Sequence, residues 1–436
     1  MNTKLKKIII GAVIFVLGGL TFSYGLSSYI QNQAMSMVES EGSIEDKIIT
    51  FHQISTSDLK PKELVTPKQK AKNLILLIAD GMSLSQVTAY RLLNGGPNHR
   101  IALDKFPTTG IVLTHSTDAL ITDSASSATA FSAGQKTKNG ALGVDPENKN
   151  IENLTETLDK YGFVSSLIAT SEITHATPAA FASHVESRRN SDEISMQMVN
   201  DSVVTTFLAG GRHFFTPEEA GGVRKDGINL LEEVKSSHIF LSHKDELSNF
   251  DFGQSGKVFG LFADEALRQQ ETPENHITEP EMKQMLDFAV SRSENYMNKG
   301  CNGFFVMAEG SQVDWAGHAN NIGYLNREMA DFDAAVDWAL QYAKDNKDTL
   351  VVVTADHETG GLLIEPKTLF GYTGDEIKIS FNTSKGFGSH TGVPVPVYAY
   401  GPGSENFSGT LDNTDLYRAM VAALDLDNEQ PSCVNN

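Results

Sequence analysis

The chain has 436 residues, of which 40% are hydrophobic and 8% aromatic, so it can bury a sizeable core and is not a disordered chain. Its formal net charge at pH 7 is −20, and a surface this acidic repels nucleic acid and anionic membranes, so we expect no nucleic acid as a binding partner. An anionic substrate would need a local cationic site to overcome this field.

The first 30 residues differ in character from the remainder of the chain. The basic start MNTKLKK is followed by a run without charged residues from Ile8 to Ile30. A basic start before an apolar stretch is typical of a secretory signal peptide, but the run is also long enough for a membrane anchor. Both interpretations predict an exported protein, either periplasmic or anchored at the membrane and facing away from the cytoplasm. Residues 31–70 are polar and weakly patterned, which predicts a tether or a short entry helix.

From residue 71 to residue 436, apolar runs alternate with longer helix-like segments. This alternation is typical of an α/β fold, with a mostly parallel central sheet sandwiched by helices. Continuous apolar runs such as NLILLIA and LVVVT suit strands that are buried on both faces. We therefore expect one domain over residues 71–436.

Polar residues follow several of these runs. Asp80 ends NLILLIAD, Glu309 lies near the end of GFFVMAEG, and Asp356 and His357 follow LVVVT, whereas FVSSLIATSEITHATP leads into Thr177. Ligands of open α/β sheets bind beyond the carboxyl ends of the strands, so these residues are expected to converge on one edge. The alternative is that each is only a turn or helix-capping residue.

The stretch TDSASSATAFSAG, residues 122–134, predicts a helix of small residues that packs closely against the sheet. Ser124 would lie at the helix N-terminus, where free N–H groups and the helix dipole favour an anion. A serine hydroxyl is a poor nucleophile unless a base or a metal activates it, and the sequence offers no compelling Ser-His-Asp arrangement. The alternative for this stretch is a packing helix with no chemical role.

Clustered carboxylates repel one another unless a cation neutralises them, so a metal site is the economical interpretation. Asp314 and His318 are four residues apart in EGSQVDWAGHANN, on one face if that segment is helical, and His390 lies in a Gly-rich loop. Aspartate and histidine ligands suit zinc, whereas carboxylate, hydroxyl and water suit magnesium. Arg188 and Arg189, in SHVESRRN, could grip a phosphate or could be solvated surface.

There are only two cysteines, Cys301 and Cys433, which excludes a disulfide framework and a Cys-rich zinc site. Because they are 132 positions apart and nothing in the sequence brings them together, we expect them to be unpaired.

Taken together, these motifs resemble the alkaline phosphatase family over roughly residues 71 to 425. Seven of them occur in the family's order: IADGMS, TDSASSATAFSAG, THATPAAFASH, ESRR, EGSQVDWAGHANN, TADHETGG and HTGVPVPVYAYGPGS. The resemblance implies hydrolysis of phosphate monoesters at alkaline pH through a phosphoserine intermediate, in a catalytic domain over residues 71–436. It also implies a homodimer, two zinc ions and one magnesium ion. Ser124 would be the nucleophile and Arg188 the phosphate clamp.

The resemblance implies metal ligands at nine positions: Asp80, Ser124, Thr177, Glu309, Asp314, His318, Asp356, His357 and His390. One zinc ion would be held by Asp314, His318 and His390. The other would be held by Asp80, Asp356 and His357 next to Ser124. Asp80 would also bridge to magnesium, together with Thr177 and Glu309.

Two substrate-side positions depart from the best-known bacterial members. His175 replaces the family's common aspartate two residues before Thr177, and Trp315 replaces a lysine after Asp314. We therefore expect weaker magnesium binding, or a different metal, and a larger share of phosphate binding by Arg188. The alternatives are a related phosphodiesterase or phosphonate hydrolase, and an exported metal-binding protein without turnover. A sulfatase is disfavoured because the C-x-P-x-R signature is absent.

Overall fold

The structure is a computed structural model that describes residues 60–269, 277–367, 376–384, 386–426, 429–430 and 433. The predicted signal peptide or anchor, residues 1–30, lies outside the described residues, as does most of the predicted tether. In the described part of the chain, no helix is both long enough and apolar enough to cross a membrane.

Fourteen strands are present in the described residues. They are β1 (Asn73–Ala79), β2 (Thr108–Leu113), β3 (Phe163–Glu172), β4 (Thr206–Gly210), β5 (Ile239–Leu241), β6 (Val258–Leu261), β7 (Gly303–Gly310), β8 (Thr349–Thr354), β9 (Glu358–Thr359), β10 (Leu362–Pro366), β11 (Ile377–Phe381), β12 (His390–Thr391), β13 (Val395–Tyr400) and β14 (Gly409–Asp412).

Ten of these strands form one sheet in the order β14-β2-β13-β8-β1-β7-β3-β4-β6-β5. Among the described strands of this sheet, the pairings of β13 with β2 and β8 are antiparallel, and the others are parallel. The remaining four strands pair as β10 with β11 and β9 with β12. The predicted mostly parallel α/β fold is confirmed.

Eleven α-helices accompany the described sheet. They are α1 (Leu84–Leu93), α2 (Ser124–Ala133), α3 (Leu154–Asp159), α4 (Ala176–Ala179), α5 (Ser191–Asn200), α6 (Leu230–Ser237), α7 (Lys244–Ser248), α8 (Met282–Asn298), α9 (Gln312–His318), α10 (Ile322–Asp345) and α11 (Asn413–Ala423). Helix α8 packs on β3 and β7, and α10 packs on β1, β7 and β8.

The centre of the sheet is its most apolar part. Every residue of β1, β7 and β8 is buried, which explains why these strands have continuous apolar runs instead of alternating ones. The order β8-β1-β7-β3 places these strands and β3 side by side and parallel. Their carboxyl ends therefore meet at one edge of the sheet.

Helix α2 is buried along its whole length, as its small residues predict. It begins after Asp123, whose carboxylate accepts a hydrogen bond from the backbone N–H of Ser126 and caps the helix. It ends at Gly134 in the left-handed conformation, with φ 66°. A side chain at Gly134 would meet the ring of Tyr417 at 2.6 Å, so glycine both ends the helix and admits α11.

The described residues 60–70 lie along the α/β domain. The backbone N–H of Lys62 donates to Asp415 at 3.0 Å, and the backbone of Val65 exchanges two hydrogen bonds with the Asn406 side chain. The ammonium group of Lys70 donates to the carbonyl of Ala422. This part of the predicted tether is therefore fixed to the C-terminal region of the domain.

The expectation that the two cysteines are unpaired is wrong, because Cys301 and Cys433 form a disulfide with Cα atoms 5.3 Å apart. The reason lies in the path of the C-terminus. The backbone N–H of Gln430 donates to the carbonyl of Lys160, and the Gln430 side chain accepts from Asn302, beside the start of β7. This docking places Cys433 next to Cys301 although the two residues are 132 positions apart in the sequence.

Replacing both cysteines with serine is expected to lower the free energy of unfolding by about 3–5 kcal/mol, because the bond restricts the unfolded chain. The kcat should change less than twofold, since Cys301 precedes β7 at the end of the sheet remote from the carboxyl edge. Urea denaturation of the variant and of the wild type, with and without reductant, measures the difference. Equal midpoints for the oxidised wild type and the variant would contradict the prediction.

A second stability prediction concerns Asp331 on α10, which accepts a hydrogen bond from the N–H of Met282 at the start of α8. Burial raises the pKa of Asp331 to about 7. The folded protein therefore holds this proton more tightly than the unfolded chain, and stability falls as the pH rises from about 4 to about 7. Asp331→Asn keeps the acceptor without the charge. We expect its stability relative to wild type to rise by about 1–2 kcal/mol between pH 5 and pH 8 in urea denaturation; a difference independent of pH would contradict this.

Candidate active site

The site is built at the carboxyl edge of the four central strands. Asp80 follows β1, Glu309 is the penultimate residue of β7, and Asp356 and His357 follow β8. The chain after β3 leads through a turn to Thr177 in α4. The predicted convergence of these strand ends is therefore present in the structure.

Asp314, His318 and His390 form the first cluster of potential metal ligands. Asp314 and His318 lie one turn apart on α9, with the carboxylate 3.2 Å from the imidazole Nε2. The Nδ1 atoms of His318 and His390 lie 2.7 and 3.0 Å from the carbonyl oxygens of Gly388 and Thr122. If each Nδ1 donates to its carbonyl, both Nε2 atoms are left as acceptors only 3.2 Å apart, an arrangement that needs a cation or a proton between them.

The electrostatics of this cluster favour a charged carboxylate. Burial alone would raise the pKa of Asp314, but the hydrogen bond to His318 and the electrostatic attraction of the surrounding imidazoles lower it well below its usual value. Burial opposes the charged form of His318, yet the contact with Asp314 raises the pKa of His318. Asp314 is thus an anion, and it can bind a cation together with the imidazoles of His318 and His390.

Asp80 belongs to two further clusters, one with Asp356 and His357 and the other with His175 and Glu309. Both oxygens of Asp80, Oδ2 of Asp356 and Oε1 of Glu309 are buried without a hydrogen-bond partner among the described residues. Burial and then the neighbouring carboxylates raise the pKa of Asp80 well above its usual value, and burial raises the pKa of Glu309 to about 7. Buried anions in this arrangement fit divalent cations.

Close packing at Gly81 brings the first cluster against the second. This glycine has φ 78°, and a side chain there would meet Cα of Asp314 at 2.8 Å. Its backbone N–H donates to Asp356 at 3.1 Å. The glycine of the IADGMS motif therefore lets the turn after Asp80 approach α9.

Ser124 and Arg188 face the same pocket. The Ser124 hydroxyl lies at the N-terminus of α2, 3.2 Å from Nε2 of His357. Burial lowers the pKa of His357 to about 4, so this imidazole is neutral at alkaline pH. The Arg188 guanidinium contacts the Asp123 carboxylate at 3.2 Å and Nε2 of His175 at 2.9 Å. Burial and the charge of Arg188 lower the pKa of His175 to about 3.

The pocket has a volume of about 350 Å³. Its lining comprises Ser124, His175, Arg188, Asp314, Trp315, His318, Ala319, Phe387 and His390. Asp80, Glu309, Asp356 and His357 lie beneath it in the buried clusters, and the Thr177 hydroxyl interacts with Glu309. All of the predicted site residues are thus brought together, whereas Arg189 lines neighbouring pockets and not this one.

Three residues hold predicted site residues in place in ways that the sequence did not predict. The Thr359 hydroxyl donates to Asp314 and lies 3.2 Å from Nδ1 of His357. The Ser311 hydroxyl donates to Glu309 at 2.6 Å. Asp123 caps helix α2 and also accepts a hydrogen bond from the Arg188 guanidinium. Each lies within two residues of a predicted ligand or nucleophile in the sequence. This proximity is the sequence feature that could have indicated its role.

A hydroxyl at a helix N-terminus, next to clustered carboxylates and imidazoles and an arginine, is suited to metal-dependent phosphoryl transfer. The chain belongs to the alkaline phosphatase family, whose family model matches residues 71–382. It is therefore an enzyme that hydrolyses phosphate monoesters.

Individual relatives agree with this assignment. Alkaline phosphatase 3 of Bacillus subtilis is 34% identical over 432 aligned positions, covering 82% of this chain and 90% of the relative. The alkaline phosphatase of the Antarctic bacterium TAB5 is 35% identical with a TM-score of 0.73, covering 83% of this chain and all of that one. A mutant of that enzyme with a histidine replaced by aspartate has Mg bound in its M3 site; it is 34% identical, with a TM-score of 0.70 and coverages of 83% and 99%.

Proposed function

We propose that this enzyme transfers the phosphoryl group of a monoester to Ser124 and then to water, with two zinc ions and one magnesium ion bound. The observation that carries the proposal is the position of the Ser124 hydroxyl, at a helix N-terminus and 3.2 Å from a neutral imidazole that belongs to a buried acidic cluster. In this proposal the hydroxyl contacts both the anionic phosphoryl group and the bound ions.

Two clusters supply the zinc ligands in this proposal. Asp314, His318 and His390 hold one ion, and the other is held by Asp80, Asp356 and His357, beside Ser124. The oxygens of Asp80 and Asp356 that lack a hydrogen-bond partner among the described residues support this assignment. When bound, the two ions lower the pKa of the attacking hydroxyl or water and stabilise the attacking and leaving oxygens of an in-line displacement.

The residues around the pocket perform the remaining tasks. Arg188 uses one hydrogen on each terminal nitrogen for Asp123 and His175, so one N–H on each nitrogen remains for two phosphate oxygens. Ser124 Oγ gives up its proton and attacks phosphorus, a new P–O bond forms, and the bond to the alcohol oxygen breaks. The departing oxygen takes up a proton and leaves as the alcohol. Water then attacks the phosphoserine, releases inorganic phosphate and restores the hydroxyl. Trp315 takes the place of a cation beside the phosphate, which leaves Arg188 as the main clamp.

Trapping the intermediate tests this proposal. The enzyme is quenched with acid during turnover of p-nitrophenyl phosphate, digested, and analysed by mass spectrometry. The peptide that contains Ser124 should carry one phosphoryl group, and the same peptide from Ser124→Ala should carry none. Elemental analysis of the purified protein should give two zinc ions and one magnesium ion per chain. Phosphorylation at another residue, with none at Ser124, would overturn the proposal.

The third ion is proposed to lie near Asp80, Thr177, Glu309 and His175. The Nε2 atom of His175 lies 2.9 Å from the Arg188 guanidinium, which can only donate, so the neutral ring carries its proton on Nδ1. Nδ1 is buried without a hydrogen-bond partner among the described residues, and a protonated nitrogen cannot bind a cation. In this tautomer His175 therefore weakens the third site.

His175→Asp is expected to tighten magnesium binding at the third site by about tenfold or more, because a carboxylate oxygen replaces an N–H group. The Mg-bound mutant of the Antarctic enzyme supports this expectation. Magnesium titration with zinc present, followed by calorimetry and elemental analysis, gives the affinity independently of turnover. His175→Asn, which is neutral, is the matched control. Equal affinities in the wild type and both variants would contradict the prediction.

We further propose that the enzyme is exported, by a signal peptide or with a membrane anchor in residues 1–30, and that it works as a homodimer. The Cys301–Cys433 disulfide supports export, because such bonds persist mainly in oxidising compartments. The catalytic domain then spans residues 71–436, with residues 31–70 as the connection to the export segment.

A further inference from the structure

An exposed aromatic ring, that of Phe387, lines the active-site pocket. Phe387 has 70% of its surface exposed, the largest fraction among the large hydrophobic residues of the described chain. One face of its ring stacks on His318, with centroids 4.5 Å apart and planes 12° apart. Exposing so much apolar surface is unfavourable unless a ligand covers it.

Trp315 supplies a second aromatic surface to the same pocket. It lies on α9 beside the Asp314 ligand position and is partly buried. Its ring meets that of His175 edge to face, with centroids 6.1 Å apart. Phe387, Trp315 and the methyl group of Ala319 together form the apolar part of the lining. We call this set the aromatic wall.

Every polar residue of the pocket already has a task in the proposed function, on which this inference rests. Ser124 and Arg188 act on the phosphoryl group, His175 contacts Arg188, and the first metal cluster supplies the others. Within the described lining, no further charged side chain remains for the alcohol part of the ester, and the only hydrogen-bonding group without a task is the indole N–H of Trp315. The alcohol therefore meets the aromatic wall.

The pocket is also large enough for a ring. Its volume is about 350 Å³, whereas a cavity of roughly 150 Å³ suffices to bind benzene. Aromatic rings prefer offset-stacked or edge-to-face contacts, and the free face of Phe387 and the indole of Trp315 provide surfaces for both.

We propose that the aromatic wall makes this enzyme selective for phosphate monoesters whose alcohol carries an aromatic ring next to the ester oxygen, with Phe387 as the main specificity-determining residue. The ring of the alcohol stacks on Phe387 while the phosphoryl group lies between Ser124 and Arg188. Small polar alkyl phosphates gain no such contact.

Benzyl phosphate and methyl phosphate form a suitable substrate pair. Both are esters of primary alcohols, so the comparison avoids the intrinsically better leaving group of a phenol. The ratio of their kcat/KM values then measures how much the benzyl ring stabilises the transition state in which the alcohol leaves. We expect the wild type to favour benzyl phosphate by about tenfold. Phe387→Ala should lower the ratio by about three- to tenfold, and Phe387→Leu should lower it less.

Two controls separate this contact from indirect effects. Val65→Ala removes an exposed apolar side chain that is not part of the pocket lining and should leave the ratio unchanged. Inhibition by inorganic phosphate, which has no alcohol part, should change less than twofold in Phe387→Ala. A loss of phosphate affinity as large as the loss for benzyl phosphate would overturn the inference, because Phe387 would then act through His318.

The failure of this inference is distinguishable from failure of the proposed function. Hydrolysis of both esters by the wild type, with equal kcat/KM values, would overturn the selectivity and leave the phosphoserine mechanism intact. The same holds if the ratio is equal in the wild type and Phe387→Ala. If the metal-loaded wild type hydrolysed neither ester, both the selectivity and the proposed function would be overturned.

Discussion

Replacing Ser124 with alanine is expected to lower kcat for a phosphate monoester by roughly 10³-fold or more, because removal of a catalytic nucleophile removes the covalent route. The fold should tolerate the change, since alanine suits a buried position in a helix of small residues. Zinc and magnesium contents should stay within error of wild type, because all eight carboxylate and imidazole groups of the three clusters remain. Steady-state kinetics with p-nitrophenyl phosphate and elemental analysis measure both effects.

Ser132→Ala is the matched control for this experiment. Ser132 is buried in the same helix, and its hydroxyl donates only to the Thr129 carbonyl one turn earlier. We expect its kcat to remain within about twofold of wild type, because exchange of one local hydrogen bond costs little. If Ser124→Ala kept the activity of Ser132→Ala, the assignment of the nucleophile would be wrong.

Removal of metal by a chelator is expected to abolish measurable turnover and to destabilise the protein. Asp80, Asp356 and Glu309 are buried with carboxylate oxygens that lack a hydrogen-bond partner among the described residues, so without cations they repel one another. An ion present at a thousand times its Kd contributes about 4 kcal/mol to stability. Activity and the thermal midpoint should therefore fall together.

Readdition of ions distinguishes this effect from simple denaturation. Zinc and magnesium together should restore both activity and thermal midpoint, whereas magnesium alone should restore neither fully. Chelator saturated with zinc before addition is the control, and it should leave the enzyme active. Full turnover by protein that elemental analysis shows to be free of metal would contradict the metal-dependent mechanism.

The sequence predicted the parts of the site that follow directly from buried strands. Because β1, β7 and β8 are apolar throughout, their ends are visible in the sequence, and so are Asp80, Glu309 and Asp356 at those ends. The helix that begins at Ser124 was predicted from its small residues. The resemblance to a family then supplied the roles that spacing alone left open.

Contacts that depend on the paths of loops were not predictable. The pairing of Cys301 with Cys433 requires the C-terminus to dock beside β7. The stacking of Phe387 on His318 requires the loop before β12 to fold over α9. These contacts join segments that are distant in sequence and carry no periodic pattern, so no local propensity indicates them.

The disulfide also has a consequence for assembly of the metal centre. It closes a covalent ring that contains six of the nine proposed ligands: Glu309, Asp314, His318, Asp356, His357 and His390. In an oxidised chain that has unfolded, the ring keeps these groups at a higher effective concentration than a linear chain would. The ring contains the whole first cluster, Asp314, His318 and His390, whereas Asp80, Ser124 and Thr177 lie in the N-terminal part outside it. Oxidation before metal loading is thus the order of maturation that the covalent topology favours.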